Sequence, residues 1–256
     1  MTSAVVSAGR RYLPRGWRDF ARQLAIWFGF LVAYQLVRGI ADRDPTRAFE
    51  NGLTVVTWEE RVSNLFELTF QKLAASSGVL TALVSWTYWN SEFTVVGFAL
   101  LWIYLRRHEH FVRLRNWVLL ANGLGLVGYA LVPTAPPRMF WNFGFEDTLA
   151  QFGGLNHGSG LIELAANPYA AMPSLHAADA LIVGVTLAYV ARRRWVKALW
   201  LLWPAWVWFA VMATGNHFWL DILAGIAVAT IAGALVHRRR LVRSLPIRRK
   251  APATAA

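Results

Sequence analysis

Six long apolar runs organise the chain, near residues 20–40, 83–105, 116–132, 176–191, 196–213 and 217–236, with polar or proline-rich stretches between them. Each holds 16 to 23 residues, and a helix needs roughly 20 to cross a hydrocarbon core about 30 Å thick. The pattern predicts an all-α, polytopic membrane protein built as a bundle of six transmembrane helices. The shortest run, 176–191, would start a few residues early or occupy a protected position. Within 77–105, Tyr88-Trp89-Asn90-Ser91-Glu92 reads either as a turn between two short helices or as the polar beginning of one. Residues 48–73 alternate in helical fashion, with Val62, Leu65, Phe66, Thr69 and Leu73 on one side and Glu59, Glu60, Glu67 and Lys72 elsewhere. They predict an interfacial helix lying on the outer leaflet, or an extramembrane helix packed on the bundle.

Charge placement decides the ambiguous run. Arg10, Arg11, Arg15, Arg18 and Arg22 precede or open the first span, and Arg106, Arg107, Arg113 and Arg115 lie between the second and third. Arg192, Arg193, Arg194 and Lys197 separate the fourth from the fifth, and seven more basic residues follow from Arg238 to Lys250. If 77–105 is one helix, all four clusters fall on one face, which the positive-inside rule makes cytoplasmic. Splitting it into two spans would break that parity, so one helix is expected. Both termini are then cytoplasmic, the protein is multi-pass in the plasma membrane, and 41–77, 133–175 and the corner 214–216 face outward.

The net charge of +12 alone would admit a nucleic-acid partner, but basic residues gathered between apolar runs follow topology instead. Hydrophobic residues make up 56% of the chain and charged residues 16%, against about a quarter charged in soluble domains. Fourteen tryptophans and 15 phenylalanines suit membrane interfaces. There is no cysteine, which excludes disulfides, thiolate metal sites and thiol catalysis. No internal repeat is evident. One domain is expected over 1–256, with a core at about 20–237 and basic flexible tails at 1–16 and 241–256. The first run is about full spanning length with no small-residue cleavage site, and reads as a signal anchor.

Titratable groups inside spans are costly and therefore informative. His176 and Asp179 open the fourth span, His217 and Asp221 open the sixth, and Arg138 follows the third. By the parity argument all five reach the outer face. The four-residue spacing of His217 and Asp221 puts them on one helix face, where a carboxylate can hold one ring nitrogen and leave the other as base or nucleophile. A helix-end histidine stapled by its neighbour is the alternative. In Asn167-Pro168-Tyr169-Ala170-Ala171-Met172-Pro173-Ser174-Leu175-His176, prolines and a serine mark a helix start whose free N–H groups suit a phosphate; it could equally be a capped helix whose histidine faces headgroups. Arg138, after Pro133-Thr134-Ala135-Pro136-Pro137, is placed either for bidentate phosphate binding or for a lipid phosphate at the surface. Together these groups predict a phosphoryl-transfer site.

Pro173-Ser174-Leu175-His176 and His217-x-x-x-Asp221 resemble two signatures of the phosphatidic-acid phosphatase type 2 superfamily of membrane lipid phosphatases. The stretches 129–139, 167–176 and 214–221 look closest to its branch related to inositol phosphorylceramide synthase, and the resemblance covers roughly 20–237. Two features depart from the broader family. No lysine precedes Arg138 at the family's spacing, and Ala210 and Val211 stand where it has Ser-Arg. Two phosphate-binding cations are thus absent or replaced, which is similar to the transferase branch.

The resemblance implies that His217 attacks phosphorus to form a phosphohistidine while Asp221 holds its ring. His176 would protonate the leaving oxygen and then activate the acceptor, with Arg138 and Ser174 holding the phosphoryl oxygens. Asp179 would orient His176 or contact a polar acceptor, and Asn216 and Asn167 are supporting candidates. Substrates would be a lipid phosphate or phospholipid among membrane lipids, with water or a polyol such as inositol as acceptor. No metal or other cofactor is expected, because protein groups supply the positive charge; a divalent-metal site on His157, His176, His217 and Asp221 is the alternative. A rival of another class is a non-enzymatic membrane transporter or scaffold with a polar intramembrane network.

Overall fold

The computed structural model describes residues 13–41, 44–151 and 168–244. Among these the chain is all-helical, with one isolated bridge between Thr134 and Ala170 in place of any strand. The helices are α1 (Gly16–Ala41), α2 (Pro45–Ser63), α3 (Glu67–Ala75), α4 (Gly78–Ser91), α5 (Thr94–Arg106), α6 (His108–Leu131), the short α7 (Thr148–Gln151), α8 (Leu175–Val190), α9 (Arg194–Ala213) and α10 (Trp219–Ser244). Their starts follow local chemistry. Asp44 accepts from the amide of Arg47 with Pro45 opening α2, Ser77 accepts from Leu80, and Ser174 accepts from Ala177. In each case a side-chain oxygen satisfies an amide with no partner inside the helix.

α8 lies at the centre, packed on α6, α9 and α10, while α1 packs against α6. The largest core cluster joins Ile103, Leu114, Val118, Leu175, Ile182, Val183 and Ala229 from four helices, α5, α6, α8 and α10. The bundle has two distinct ends. At one, Arg115 reaches Gln23 of α1, the Tyr104 hydroxyl donates to Asp19, and Trp117 and His110 meet His237 and Tyr189. The basic clusters around residues 15–22, 106–115, 192–197 and 238 therefore share that end. At the other end, α2 and α3 cover the loops that follow α6 and α9, with Asn51 donating to the carbonyl of Pro133 and Gln71 to that of Glu146.

Two expectations change. The run 83–105 is interrupted: α4 ends at Ser91 and α5 begins at Thr94. Glu92 and Phe93 nevertheless keep right-handed helical dihedrals (φ −84°, ψ −49° and φ −94°, ψ −53°). The break at the polar Asn90-Ser91-Glu92 run is thus a local distortion and not a tight reversal. Residues 48–73 also form two helices, because Asn64 and Leu65 take positive φ values of 54° and 50°. Their faces depart from the amphipathic expectation at particular positions, although Leu65 is buried and Glu60 and Lys72 are exposed as that pattern requires. Glu59 and Glu67 are fully buried, whereas Val62 and Leu73 are 59% and 52% exposed. α10 also continues through Ser244, into the stretch whose composition suggests a flexible tail.

Among the described residues, two helices are long and apolar enough to cross a membrane by length and composition, Arg194–Ala213 and Trp219–Arg238. Large apolar side chains also stand exposed along other helices, including Phe28, Val32, Leu36, Phe98 and Tyr189.

α8 and α10 approach so closely that a Cβ on Gly225 would lie 2.2 Å from the carbonyl oxygen of Ser174. Gly225→Ala must push the two helices apart. We expect a loss of about 1–3 kcal/mol in stability, read as a lower thermal midpoint in detergent. An unchanged midpoint would contradict the packing described.

Candidate active site

Three segments distant in sequence meet at the covered end of the bundle. The loop after α6 is stitched to the approach to α8 by Thr134, whose amide donates to the carbonyl of Tyr169 and whose carbonyl accepts from Ala171. The same loop is tied to the α9–α10 corner, where the Arg138 amide donates to the carbonyl of Gly215. Gly215 has φ +70°, and a Cβ there would meet the carbonyl of Glu146 at 2.6 Å. Only glycine fits both the left-handed turn and the close contact. The start of α8 is tied to α10 through the Ser174 amide, which donates to the carbonyl of Asp221.

His217 is buried at the start of α10. Its Nδ1 lies 2.9 Å from the carbonyl oxygen of Ala171 and 3.5 Å from Asp221 Oδ2. The carbonyl can only accept, so Nδ1 carries the hydrogen and the lone pair sits on Nε2. Asp221 is fully buried, and its Oδ2 accepts from the Phe218 amide at 2.8 Å.

The His176 ring centre is 5.5 Å from that of His217. His176 stacks on Tyr88 at 4.7 Å and 18°, and its Nε2 faces the Tyr88 carbonyl at 3.2 Å and Glu92 Oε2 at 3.3 Å. The carboxylate at His176 is therefore Glu92. Asp179, one turn further along α8, accepts from Asn122 of α6 at 2.8 Å. Ser174 is buried, and its hydroxyl oxygen accepts from the Ala177 amide, leaving the hydroxyl hydrogen to donate.

Arg138 Nη1 donates to Asn216 Oδ1 at 2.6 Å, and its Nε is 3.6 Å from Asp147 Oδ2. Burial works against the guanidinium charge and lowers its pKa, while Tyr88 and Asp147 work for it. Asn216 is held in turn by Thr214, through both its carbonyl and its hydroxyl.

The first amides of α10 have carboxylate partners. Phe218 donates to Asp221, Trp219 to Glu67 at 3.0 Å and Leu220 to Glu59 at 2.9 Å. α2 and α3 thus clamp the helix that begins beside His217. Burial, reinforced by Glu67, pushes the Glu59 carboxyl up from 4.5 to about 10, so the pair holds a proton between them. The folded state then binds more protons than the unfolded one above about pH 4.5, and this contribution to stability is lost as pH rises towards 10. Glu59→Gln, which mimics the protonated form, should flatten that fall in thermal midpoint. An unaltered slope would count against the shared proton.

Of the residues singled out in the sequence, His217, Asp221, His176, Arg138, Ser174 and Asn216 come together, Asp179 turns to Asn122, and Asn167 and His157 lie outside the described residues. Among the described residues no group of three or more His, Asp or Glu side chains is arranged to hold a metal ion. Glu92, Asp147, Glu59 and Glu67 were not singled out as site residues. The signal for Glu92 is an acid inside an apolar run; Glu59 and Glu67 lie off the apolar side of the 48–73 pattern, which carries no signal for their burial.

The model of the PAP2 superfamily matches residues 53–235. Phosphoinositol dihydroceramide synthase of Bacteroides thetaiotaomicron is 30% identical over 147 residues, covering 52% of this chain and 48% of that protein. The chain thus spans about half the length of that curated relative. The crystal structure of Aquifex aeolicus LpxE has a similar fold at 18% identity, with a TM-score of 0.51 over 66% of this chain and 93% of that one. With histidine and aspartate signatures gathered at one end of a helical bundle and a family match over most of its length, this chain belongs to the PAP2 superfamily.

Proposed function

We propose that this enzyme transfers a phosphoryl group from a lipid phosphate or phosphodiester through a phosphohistidine on His217. The observation that carries this reading is two imidazoles with ring centres 5.5 Å apart, beside a buried arginine. His217 Nε2 attacks phosphorus in line with the leaving oxygen. The P–O bond breaks, its electrons pass to that oxygen, and His176 protonates it. Asp221 and the Ala171 carbonyl stabilise the cationic phosphohistidine, while Arg138 and the Ser174 hydroxyl hold the phosphoryl oxygens. His176, now neutral, takes a proton from the acceptor, whose oxygen attacks phosphorus and frees His217. Water as acceptor makes the enzyme a phosphatase, and a polyol such as inositol makes it a phosphotransferase. The name of the Bacteroides relative favours the polyol.

The bundle spans the plasma membrane six times, through α1, α4 continuing into α5, α6, α8, α9 and α10. Exposed apolar side chains along these helices support lipid contact. The basic end is cytoplasmic by the positive-inside rule, so the site faces outward beneath α2 and α3. The chain has no cysteine, which makes orientation directly testable. In intact cells an impermeant thiol reagent should label Asn142→Cys and spare Arg193→Cys; the reverse pattern would overturn the orientation.

Chemistry is tested on purified full-length protein with a panel of lipid phosphates and phospholipids, with and without inositol. Phosphate release without inositol marks a phosphatase, and a new inositol phospholipid marks a transferase. Absence of both with every donor would favour the non-enzymatic transporter or scaffold.

A further inference from the structure

We infer that Glu92 is a positioning residue that, with the Tyr88 carbonyl, holds His176 as its Nε2–H tautomer, so that His176 exchanges protons through Nδ1. This rests on the reading of His176 as acid and base given above.

His176 Nε2 faces two acceptors. The Tyr88 carbonyl oxygen is 3.2 Å away and Glu92 Oε2 is 3.3 Å away. A carbonyl can only accept, so the nitrogen facing it must carry a hydrogen, and the carboxylate competes for that same hydrogen. The side chains of His176 and Glu92 are 12% and 13% exposed, so little water intervenes. The ring cannot easily turn, because it stacks on the Tyr88 ring at 4.7 Å and 18°. Carbonyl, aromatic face and carboxylate all come from one short stretch, Tyr88 to Glu92, where α4 gives way to α5. A carboxylate within an apolar span is costly, and a cationic imidazole is the partner that offsets the cost.

The arrangement reverses that at His217. There Nδ1 faces acceptors on Ala171 and Asp221, and Nε2 keeps the lone pair. The two histidines are thus held as opposite tautomers by two carboxylates of different origin. Asp221 lies four residues along from His217, whereas Glu92 reaches His176 from another helix. The proton account closes. Cationic His176 gives its Nδ1 proton to the leaving oxygen, keeps Nε2–H towards Glu92, and recovers a proton at Nδ1 from the acceptor. Glu92 neither gains nor loses one.

The experiment uses full-length protein labelled with nitrogen-15 histidine in detergent micelles, with the His176 signals identified by their loss in His176→Asn. Neutral His176 in the unsubstituted protein should show a protonated Nε2 and an unprotonated Nδ1. The reverse pattern overturns the inference whether or not any Glu92 variant folds. In Glu92→Ala the His176 signals should move towards a mixture of tautomers, and kcat should fall roughly 10–100-fold with KM little changed. Glu92→Gln, which keeps an acceptor without the charge, should retain the tautomer and lose part of kcat. Unchanged His176 signals and unchanged kcat in folded Glu92→Ala would also overturn it. Full activity in His217→Ala would instead sink the catalytic reading, leaving the tautomer measurement to judge Glu92 separately.

Discussion

His217→Ala is expected to remove turnover by about 10⁴-fold or more, because the variant has no nucleophile at this position. Nε2 carries the ring's lone pair only because Nδ1 is held by the Ala171 carbonyl and Asp221. Removing the ring removes both the attacking atom and the covalent intermediate. Acid-sensitive, base-stable radiolabel trapped on the enzyme during turnover should therefore vanish in this variant. His176→Ala should behave differently. It keeps the nucleophile and loses the acid, a loss of about 10²–10⁴-fold. Much of that should return with a donor whose leaving oxygen needs no proton, such as a nitrophenyl ester. Persistence of the trapped label in His217→Ala would end the phosphohistidine route.

Arg138→Ala should lower kcat/KM by about 10²–10³-fold, the usual cost of removing one preorganised charge from developing phosphoryl oxygens. The positions where the family pattern has Ser-Arg are Ala210 and Val211 here, and both are buried. Arg138 is flanked by Asp147, and Glu92 and Asp221 stand at the two histidines. Its guanidinium is aimed by Asn216 at 2.6 Å and by the Arg138 amide bond to Gly215. Arg138→Lys keeps the charge and loses the planar fork, so it should recover only part of the rate. Activity equal to the parent enzyme in Arg138→Ala would show that another group binds the phosphoryl oxygens.

Particular residues show how far the reading from sequence reached. The convergence of His176, His217, Asp221 and Arg138 was legible, because span length and the placement of arginines put all four at one end without any knowledge of packing. The break at Glu92 was not, since counting charges on two faces asks only whether the chain reverses. A distortion that keeps helical dihedrals passes that test unseen. Asp179 was the natural partner for His176 on spacing alone, yet Asn122 holds it and Glu92 takes its place. Spacing along one helix says nothing about what a neighbouring helix presents. Glu59 and Glu67 lie off the apolar side of the 48–73 pattern, and carboxylates there normally seek water. They turn inward because the opening amides of α10 lack partners within their own helix.

The order of apolar and basic stretches alone determined the helical class and the end of the bundle at which the reactive groups gather, because helix length and membrane thickness leave little choice. The family signatures likewise stand in the chain as written. Tertiary structure decided which carboxylate meets which imidazole, which ring nitrogen keeps its lone pair, and which acids are buried. Those outcomes depend on contacts of a few ångströms between segments up to about 160 residues apart, as from Glu59 to Leu220, and no local pattern encodes them.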